Sequence, residues 1–300
     1  MRVAVAVLLA ALVAGCGSTS ASSLEDAADA TAADTSRFEM TYHFAALGEE
    51  KEATFGVEGV FDFPNDRGAM TVSDQFPFFD EGVSLEEFRL LGRTGYARWI
   101  VKGKLYWVKD NEVETSSDPF EQLIPAPGTP TKPTGVLTRV LSASEEITEL
   151  GDEDVRGTET THYRARVSVA KLVEQLPRAD QPGGDVAARW GRFVPVDIWI
   201  DGKSRLRRIT IRQAEDAANS NPAMTLTVEL YDYGVEADVE PPAEETISQE
   251  EFDRLTPVVT LRPEQGEGEE ISPEEVCQGA VKELPEKEAD RICREMKEQG

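Results

Sequence analysis

Alternating apolar and polar residues run through the first third of the chain and predict a series of β-strands. Between Arg37 and Phe44, apolar residues occupy every second position, at Phe38, Met40, Tyr42 and Phe44. This spacing is typical of a strand with one buried face. Turn signals such as Pro64-Asn65-Asp66, Gly92 and Gly103 bound further predicted strands over 54–63, 67–73, 87–91, 95–101 and 104–109. Because the connections are too short for crossover helices, we expect neighbouring strands to be antiparallel.

The middle of the chain changes from a two-residue to a helical period. Apolar residues within 136–141 and within 169–176 each fall on one face of a helix. An alanine-rich helix is predicted earlier, from Ser23 as N-cap to about Ala33. Short helices are predicted over 118–124 and 186–190, and strands over 147–150, 158–167, 194–200, 206–212 and 225–233. Pro241-Pro242 then marks the predicted end of a domain that covers 23–240.

The first fifteen residues have the layout of a secretory signal peptide. The apolar run from Val3 to Ala14 follows Arg2 and is shorter than the roughly 20 residues that span a bilayer. Val13-Ala14-Gly15-Cys16 resembles the bacterial lipobox, in which the cysteine takes a diacylglycerol and the chain is cut before it. We therefore expect 1–15 to be a lipoprotein signal peptide and 16–22 a flexible linker lipidated at Cys16. The alternative is an ordinary signal peptide with an incidental cysteine.

The C-terminal part is predicted to hold an acidic linker, 241–271, and two short amphipathic helices within 272–300. Cys277 and Cys293 lie on the apolar faces of the two helices. With Cys16 assigned to lipid, these two form the remaining pair, and a location outside the cytoplasm permits a disulfide between them. The sequence thus predicts a disulfide-stapled helical hairpin. A free dithiol or metal site is the alternative, which the absence of CxxC spacing and of nearby histidine disfavours.

The charge of the chain excludes one class of partner. The 300 residues hold 31 basic and 57 acidic side chains, a formal net charge of −26. Nucleic acid is therefore not expected as a partner, because phosphate binding needs clustered Lys and Arg. Residues 236–300 hold 20 acidic and 7 basic side chains, a net charge of −13. This tail is interpreted as a solvated segment, with a docking segment for a basic partner as the alternative.

Residues that could form a catalytic site are sparse. The chain has two histidines; His43 and His162 both alternate with apolar neighbours, which places them on the polar faces of their strands. The sequence contains no GxSxG, HExxH, P-loop or GxGxxG motif. We therefore expect neither an enzyme nor a metal or cofactor site.

Two segments resemble a known family of envelope proteins. Gly157–Arg164 is similar to the G-x-x-T-x-x-Y strand of cell-envelope lipoproteins of the LppX/LprG/LprA/LprF family. Pro195–Asp201, followed by Leu206–Arg208, resembles a hairpin of that family and of LolA/LolB-like carriers. The resemblance covers roughly residues 20–240. It implies an α+β fold in which helices cover the concave side of a curved antiparallel half-barrel, and an apolar cavity between them that holds acyl chains.

The resulting hypothesis is a lipoprotein on the extracytoplasmic side of the cell membrane, anchored through Cys16, that carries lipid or lipoglycan acyl chains. A protein partner in the envelope is a further expectation. The alternatives are a fully packed interior and an anchored interaction or sensor module that uses the acidic tail. The predicted lining residues come from the two helical stripes and two strands: Val136, Leu137, Val140, Leu141, Val169, Leu172, Leu176, Val196, Ile198, Leu226 and Val228.

Overall fold

The computed structural model describes residues 16–45, 52–72, 82–111, 113, 133–175, 191–213 and 223–255. Its helices are α1 (Cys16–Ala32), α2 (Pro133–Ala143), α3 (Val169–Glu174) and α4 (Gln249–Leu255). Its strands are β1 (Thr35–Phe44), β2 (Ala53–Asp62), β3 (Arg67–Val72), β4 (Val83–Leu91), β5 (Thr94–Val101), β6 (Lys104–Asp110), β7 (Ser144–Val155), β8 (Thr158–Ser168), β9 (Phe193–Asp201), β10 (Leu206–Gln213), β11 (Met224–Tyr231) and β12 (Thr246–Ser248).

All of these strands belong to one curved, unclosed sheet. Their order is β12-β6-β5-β4-β3-β2-β1-β11-β10-β9-β8-β7. Neighbours within β1–β6 are antiparallel, as the short connections predicted, and so are those within β7–β11 and the pair β1–β11, whereas β12 runs parallel to β6. The pairing of β1 with β11 joins the two strand-rich parts of the chain, which lie far apart in sequence. The predicted α+β fold with a curved antiparallel sheet is confirmed.

The two faces of the sheet differ in chemistry because side chains alternate along each strand. We call the apolar side the inner face. It carries Phe38 and Met40 of β1 and Ile198 of β9, and side chains of α1, α2 and α3 belong to the same buried cluster. The opposite, outer face is charged. Helix contacts fall on β7, β8 and β10 at one end of the sheet, and α4 contacts β6 and β12 at the other.

Helix α1 is tied to the sheet near its C-terminus by a buried hydroxyl. Thr31 is fully buried, and its Oγ1 accepts a hydrogen bond from the N–H of Leu206, the first residue of β10, at 3.0 Å. Leu24 and Ala27, one turn apart on the same helix, bury their side chains in the inner cluster. The helix is therefore fixed both by apolar packing and by a polar contact at one end.

Replacing Thr31 with valine is expected to destabilise the domain by about 1–3 kcal/mol. Valine keeps the shape and β-branching of threonine but leaves the N–H of Leu206 buried without its acceptor. Urea unfolding followed by circular dichroism measures the change. Thr31→Ser keeps the oxygen and serves as the control, so equal stability of the two variants would show that the hydrogen bond contributes nothing.

The start of α1 differs from the prediction. The helix begins at Cys16, seven residues before the predicted N-cap Ser23, so the segment 16–22 is helical rather than a flexible linker. The physical reason is cooperativity: once the alanine-rich part is helical, each added residue gains a backbone hydrogen bond, and this segment holds no proline to stop it. Each serine weakens a helix by less than about 1 kcal/mol, and each glycine weakens it by about 1 kcal/mol.

The sheet domain also ends later in the sequence than predicted. Residues 246–255, inside the predicted acidic linker 241–271, form β12 and α4. Ile247 pairs with Val108 of β6, and Phe252 is buried with its ring 5.6 Å from that of Trp99 and 6.0 Å from that of Tyr106. Two apolar residues in an acidic segment produce no periodic pattern, which is why the sequence did not predict these elements.

Several predictions lie outside the described residues. These are the signal peptide 1–15, the helices at 118–124 and 186–190, and the cysteine-bearing hairpin at 272–300. The chain divides into two units, Met1–Leu261 and Arg262–Gly300, and the second unit is among the parts that the structure does not describe. Among the described helices, none combines the length and apolar character needed to cross a bilayer.

Candidate functional site

The predicted lining residues meet on the inner face. Those of α2, α3, β9 and β11 that the structure describes belong to one apolar cluster, with Leu141 partly buried at its margin. Leu137, Leu172, Val196, Ile198 and Leu226 are fully buried. Leu176 lies outside the described residues. The helical stripes and the strand alternation thus predicted correctly that residues of these four elements lie on the apolar face.

Sequence analysis missed a second part of the inner face, the aromatic wall. It consists of large side chains on β1–β4 and the turn after β2: Phe38, Met40, Tyr42, Phe44, Phe55, Phe61, Phe63, Met70, Phe88 and Leu90. Ring centroids of Tyr42 and Phe55 are 4.9 Å apart, and those of Phe61 and Phe63 are 5.0 Å apart, both nearly parallel. The alternation in β1 was the available signal, but it identified a half-buried strand rather than a lining.

Three phenylalanine rings of the wall lie against glycine backbone in a neighbouring strand. A Cβ built on Gly59 would meet the ring of Phe38 at 2.9 Å, and one on Gly68 would meet the ring of Phe61 at 3.0 Å. On Gly95 it would meet the ring of Phe88 at 3.0 Å. Rings this close to the backbone lie low on the sheet. These three rings therefore extend only a short distance above the strands.

Hydroxyl groups, among them those of Tyr42 and Ser36, interrupt the apolar inner face. Tyr42 is buried, its O–H lies 3.4 Å from Sδ of Met40, and burial raises the pKa of Tyr42 well above its usual value. Ser36 is fully buried, and its Oγ has no hydrogen-bond partner among the residues that the structure describes. Both groups are neutral at physiological pH, so the inner face carries no charge at these positions.

A buried carboxylate organises the outer face of β8, β9 and β10. Asp197 is fully buried and accepts hydrogen bonds from Nε of Arg164 at 2.7 Å, from His162 at 3.0 Å and from Arg212. Burial alone would raise the pKa of Asp197, but the hydrogen bonds from Arg164, Arg212 and His162 outweigh it and lower that pKa below its usual value. The carboxylate is consequently ionised and paired at neutral pH.

The network continues to the neighbouring strands through Trp199. Its ring stacks on His162 with centroids 4.2 Å apart, and its Nε1–H donates to Glu153 at 2.8 Å. The guanidinium of Arg208 also lies over the ring, 5.2 Å from its centroid, and pairs with Glu229 of β11. His162 lies on the outer face, as its alternation predicted, but its stacking and its ion partners leave it largely covered. It is a structural partner of Asp197.

Nothing in the described part of the chain is arranged as a metal centre. No group of three His, Cys, Asp or Glu side chains among those residues is placed to hold an ion. The buried carboxylates of Asp197 and Asp201 and that of Glu229 pair with arginines, so they are structural ion pairs.

Comparison with curated proteins finds one partial relative. An uncharacterised 31.2 kDa protein in the rplA–rplJ intergenic region of Streptomyces griseus is 30% identical over 110 residues, which are 35% of this chain and 35% of the relative. The match therefore spans about a third of the length of that relative. No family model matches the chain.

Solved structures that match this chain include two mycobacterial proteins, one of them the lipoprotein LppX. LprF from Mycobacterium bovis is 16% identical with a TM-score of 0.44, and the alignment covers 77% of this chain and all of LprF. LppX from Mycobacterium tuberculosis is 14% identical with a TM-score of 0.41, covering 74% of this chain and 99% of LppX. A chain of a MucA/MucB complex from Pseudomonas aeruginosa is 12% identical with a TM-score of 0.38. The alignment covers 76% of this chain and 63% of that chain.

Proposed function

We propose that the protein is a membrane-anchored lipoprotein that holds acyl chains of a lipid or lipoglycan against its inner face and carries them in the cell envelope. The observation that carries the proposal is the aromatic wall, whose rings lie low on glycine backbone at Gly59, Gly68 and Gly95. These buried rings give the inner side of the curve a continuous apolar area, which supports the proposal. The residues of α2, α3, β9 and β11 that were predicted as lining belong to the same apolar cluster as the aromatic wall, which supports the proposal.

Burial of acyl chains supplies the binding free energy in this proposal. Each CH₂ group removed from water contributes about 0.8 kcal/mol, so a 16-carbon chain yields roughly 12 kcal/mol before the costs of ordering the ligand are subtracted. No charged group is needed on the inner face, and the charged side chains are instead paired on the outer face. This division of the two faces favours a carrier over a catalyst.

The proposed anchor at Cys16 is joined to the domain through a helix. Helix α1 has 17 residues and therefore extends about 25 Å at 1.5 Å per residue, and its far end is fixed at Thr31. In this proposal the lipidated end is connected to the sheet by a stiff element. The domain is then held in a defined orientation at the membrane surface rather than on a loose tether.

Native mass spectrometry of the soluble chain, residues 17–300, purified from a host with a similar envelope, tests the proposal. An added mass that organic extraction removes is expected, and lipid analysis then names the cargo class. A bare mass, together with no uptake of a fluorescent fatty acid, contradicts the carrier function. That outcome favours an interaction module that uses the acidic C-terminal segment.

A bulky side chain on the inner face is expected to reduce fatty-acid uptake at least tenfold. Val228 of β11 is buried between Met40 of β1 and Ile209 of β10 in the sheet register. Val228→Trp fills inner space at this position. Thr227→Trp places the same ring on the outer face of the same strand and is the control. If Val228→Trp folds and takes up fatty acid as well as the control does, this lining assignment is wrong; if it does not fold, Val228→Met replaces it.

A further inference from the structure

A polar groove lies at one end of the sheet, between the β7–β8 turn and the β9–β10 turn. Its volume is about 520 Å³. One wall comes from β7 and β8 and contributes the acidic residues Asp152 and Glu159; the other comes from the β9–β10 turn and the start of β10 and contributes Lys203, Arg205 and Arg207. The groove therefore has one acidic and one basic wall in a chain whose net charge is −26.

The basic wall is built on a single buried carboxylate. Asp201 accepts backbone hydrogen bonds from Lys203 at 2.9 Å and from Arg205 at 3.0 Å. It also accepts from the guanidinium of Arg205 at 3.0 Å and from Nε of Arg207 at 2.8 Å. Burial would raise the pKa of Asp201, but these bonds outweigh it and lower that pKa. The two arginines are thus held in place before any ligand arrives.

Donors remain on this wall after the internal pairs are made. The side chain of Arg207 is only 12% exposed, and both arginines lie against the ring of Tyr233. Nε of Arg207 donates its hydrogen bond to Asp201. Its two terminal nitrogens have no acceptor among the residues that the structure describes. Lys203 is exposed and makes no ion pair with any described residue. A positioned guanidinium edge beside an ammonium suits a phosphate group.

The acidic wall offers the complementary chemistry. Glu159 is exposed and makes no ion pair within the described ranges, and Asp152 accepts a hydrogen bond from Thr161. A purely anionic ligand would meet these two carboxylates unfavourably. A ligand that carries an ammonium a few bonds from its phosphate satisfies both walls at once.

We infer that this groove binds a zwitterionic phosphate–amine group, with the phosphate on Arg207 and Lys203 and the ammonium on Glu159 and Asp152. The group has two sources, the head group of an amine-bearing phospholipid or a free phosphorylated amine. The inference does not rest on the proposed acyl cargo, because the groove lies on polar turns and its soluble ligand has no acyl chain. A failure of one proposal therefore leaves the other intact.

Isothermal titration of the mature chain with O-phosphorylethanolamine is the test, with glycerol phosphate and ethanolamine as the matched half-ligands. Binding of the zwitterion with a dissociation constant below about 1 mM is expected, at least tenfold tighter than either half-ligand. Lys203→Glu is expected to weaken it about tenfold, whereas Lys104→Glu, at the exposed start of β6, leaves it unchanged. Glu159→Gln is expected to abolish the preference for the zwitterion over glycerol phosphate.

Vesicles distinguish the two sources of the ligand. Retention on phosphatidylethanolamine vesicles that is lost in Lys203→Glu identifies a lipid head group, whereas binding of the soluble ligand alone identifies a free metabolite. Equal affinity of the zwitterion and glycerol phosphate, an unchanged affinity in Lys203→Glu, or no binding of any probe overturns the inference. Both variants change exposed side chains, so loss of binding can be separated from unfolding by circular dichroism.

Discussion

Replacing Asp197 with alanine is expected to destabilise the domain by about 2–3 kcal/mol. Removing one partner of a buried ion pair typically costs about 3–5 kcal/mol. The expected value is lower here because Arg164 and Arg212 are each about half exposed and can regain water when the carboxylate is lost. Chemical denaturation of the two proteins at pH 7 measures the difference.

The control for Asp197 is a carboxylate with an ion partner but no burial. Glu146 is 61% exposed and lies 3.7 Å from Arg166, so Glu146→Ala is expected to change stability by less than about 0.5 kcal/mol. An equal effect of the two substitutions would contradict the role given to the Asp197 network. A larger effect of Asp197→Ala than of Asp197→Asn is expected, since asparagine keeps one acceptor oxygen.

Carboxylates of the outer face also make the stability of the domain depend on pH. The sign of this dependence follows from their lowered pKa values. Asp197, Asp201 and Glu229 all have pKa values below their usual 3.8 or 4.5 in the folded chain. The unfolded chain therefore takes up these protons first as the pH falls. The stabilisation is complete above about pH 5 and decreases as the pH falls through the folded-state pKa values. In Asp197→Asn this loss is expected to be smaller, so the wild-type advantage shrinks between pH 5 and pH 3.

The strands were predictable because their signal is local. Strand β1 carries its own alternation, turn signals bound the other strands of the β1–β6 meander, and short connections fix which strands are neighbours, so the sequence predicted both. The pairing of β1 with β11 depends instead on contacts between distant parts of the chain, and no local pattern encodes it. The same holds for the aromatic wall, because Phe38 lies on Gly59 only in the register that the β1–β2 pairing adopts.

The outer-face network shows a different limit of sequence reasoning. The alternation around Asp197 predicts that it faces away from the apolar side, and an outward carboxylate is normally solvated. It is buried because Arg164 and Arg212 come from the strands on both sides and cover it. Whether a residue on the polar face is buried thus depends on three adjacent strands. The pattern within one strand predicts only which face of the sheet its side chain lies on.

Two glycine substitutions in the aromatic wall are expected to have different effects. A Cβ on Gly59 would lie 2.1 Å from the backbone oxygen of Ala69 and 2.9 Å from Cα of Met70, so Gly59→Ala must open the pairing of β2 with β3. We expect a loss of about 3 kcal/mol or more, at the upper end of overpacking effects. Urea unfolding of Gly202→Ala, where a Cβ meets nothing within 4 Å, provides the control with no steric conflict.

Gly68→Ala is expected to leave the sheet intact and to act on the inner space. Its Cβ would meet the ring of Phe61 at 3.0 Å and a backbone oxygen, that of Val60, at 3.3 Å. The ring can give way by tilting, so the expected cost is only about 1 kcal/mol, but the tilted ring then rises from the sheet into the space assigned to acyl chains. Fatty-acid uptake is expected to fall severalfold in Gly68→Ala and to stay unchanged in Gly202→Ala. If uptake were unchanged in both variants while Gly68→Ala lost stability, the ring of Phe61 would be packed against protein, and the acyl site would lie elsewhere on the inner face.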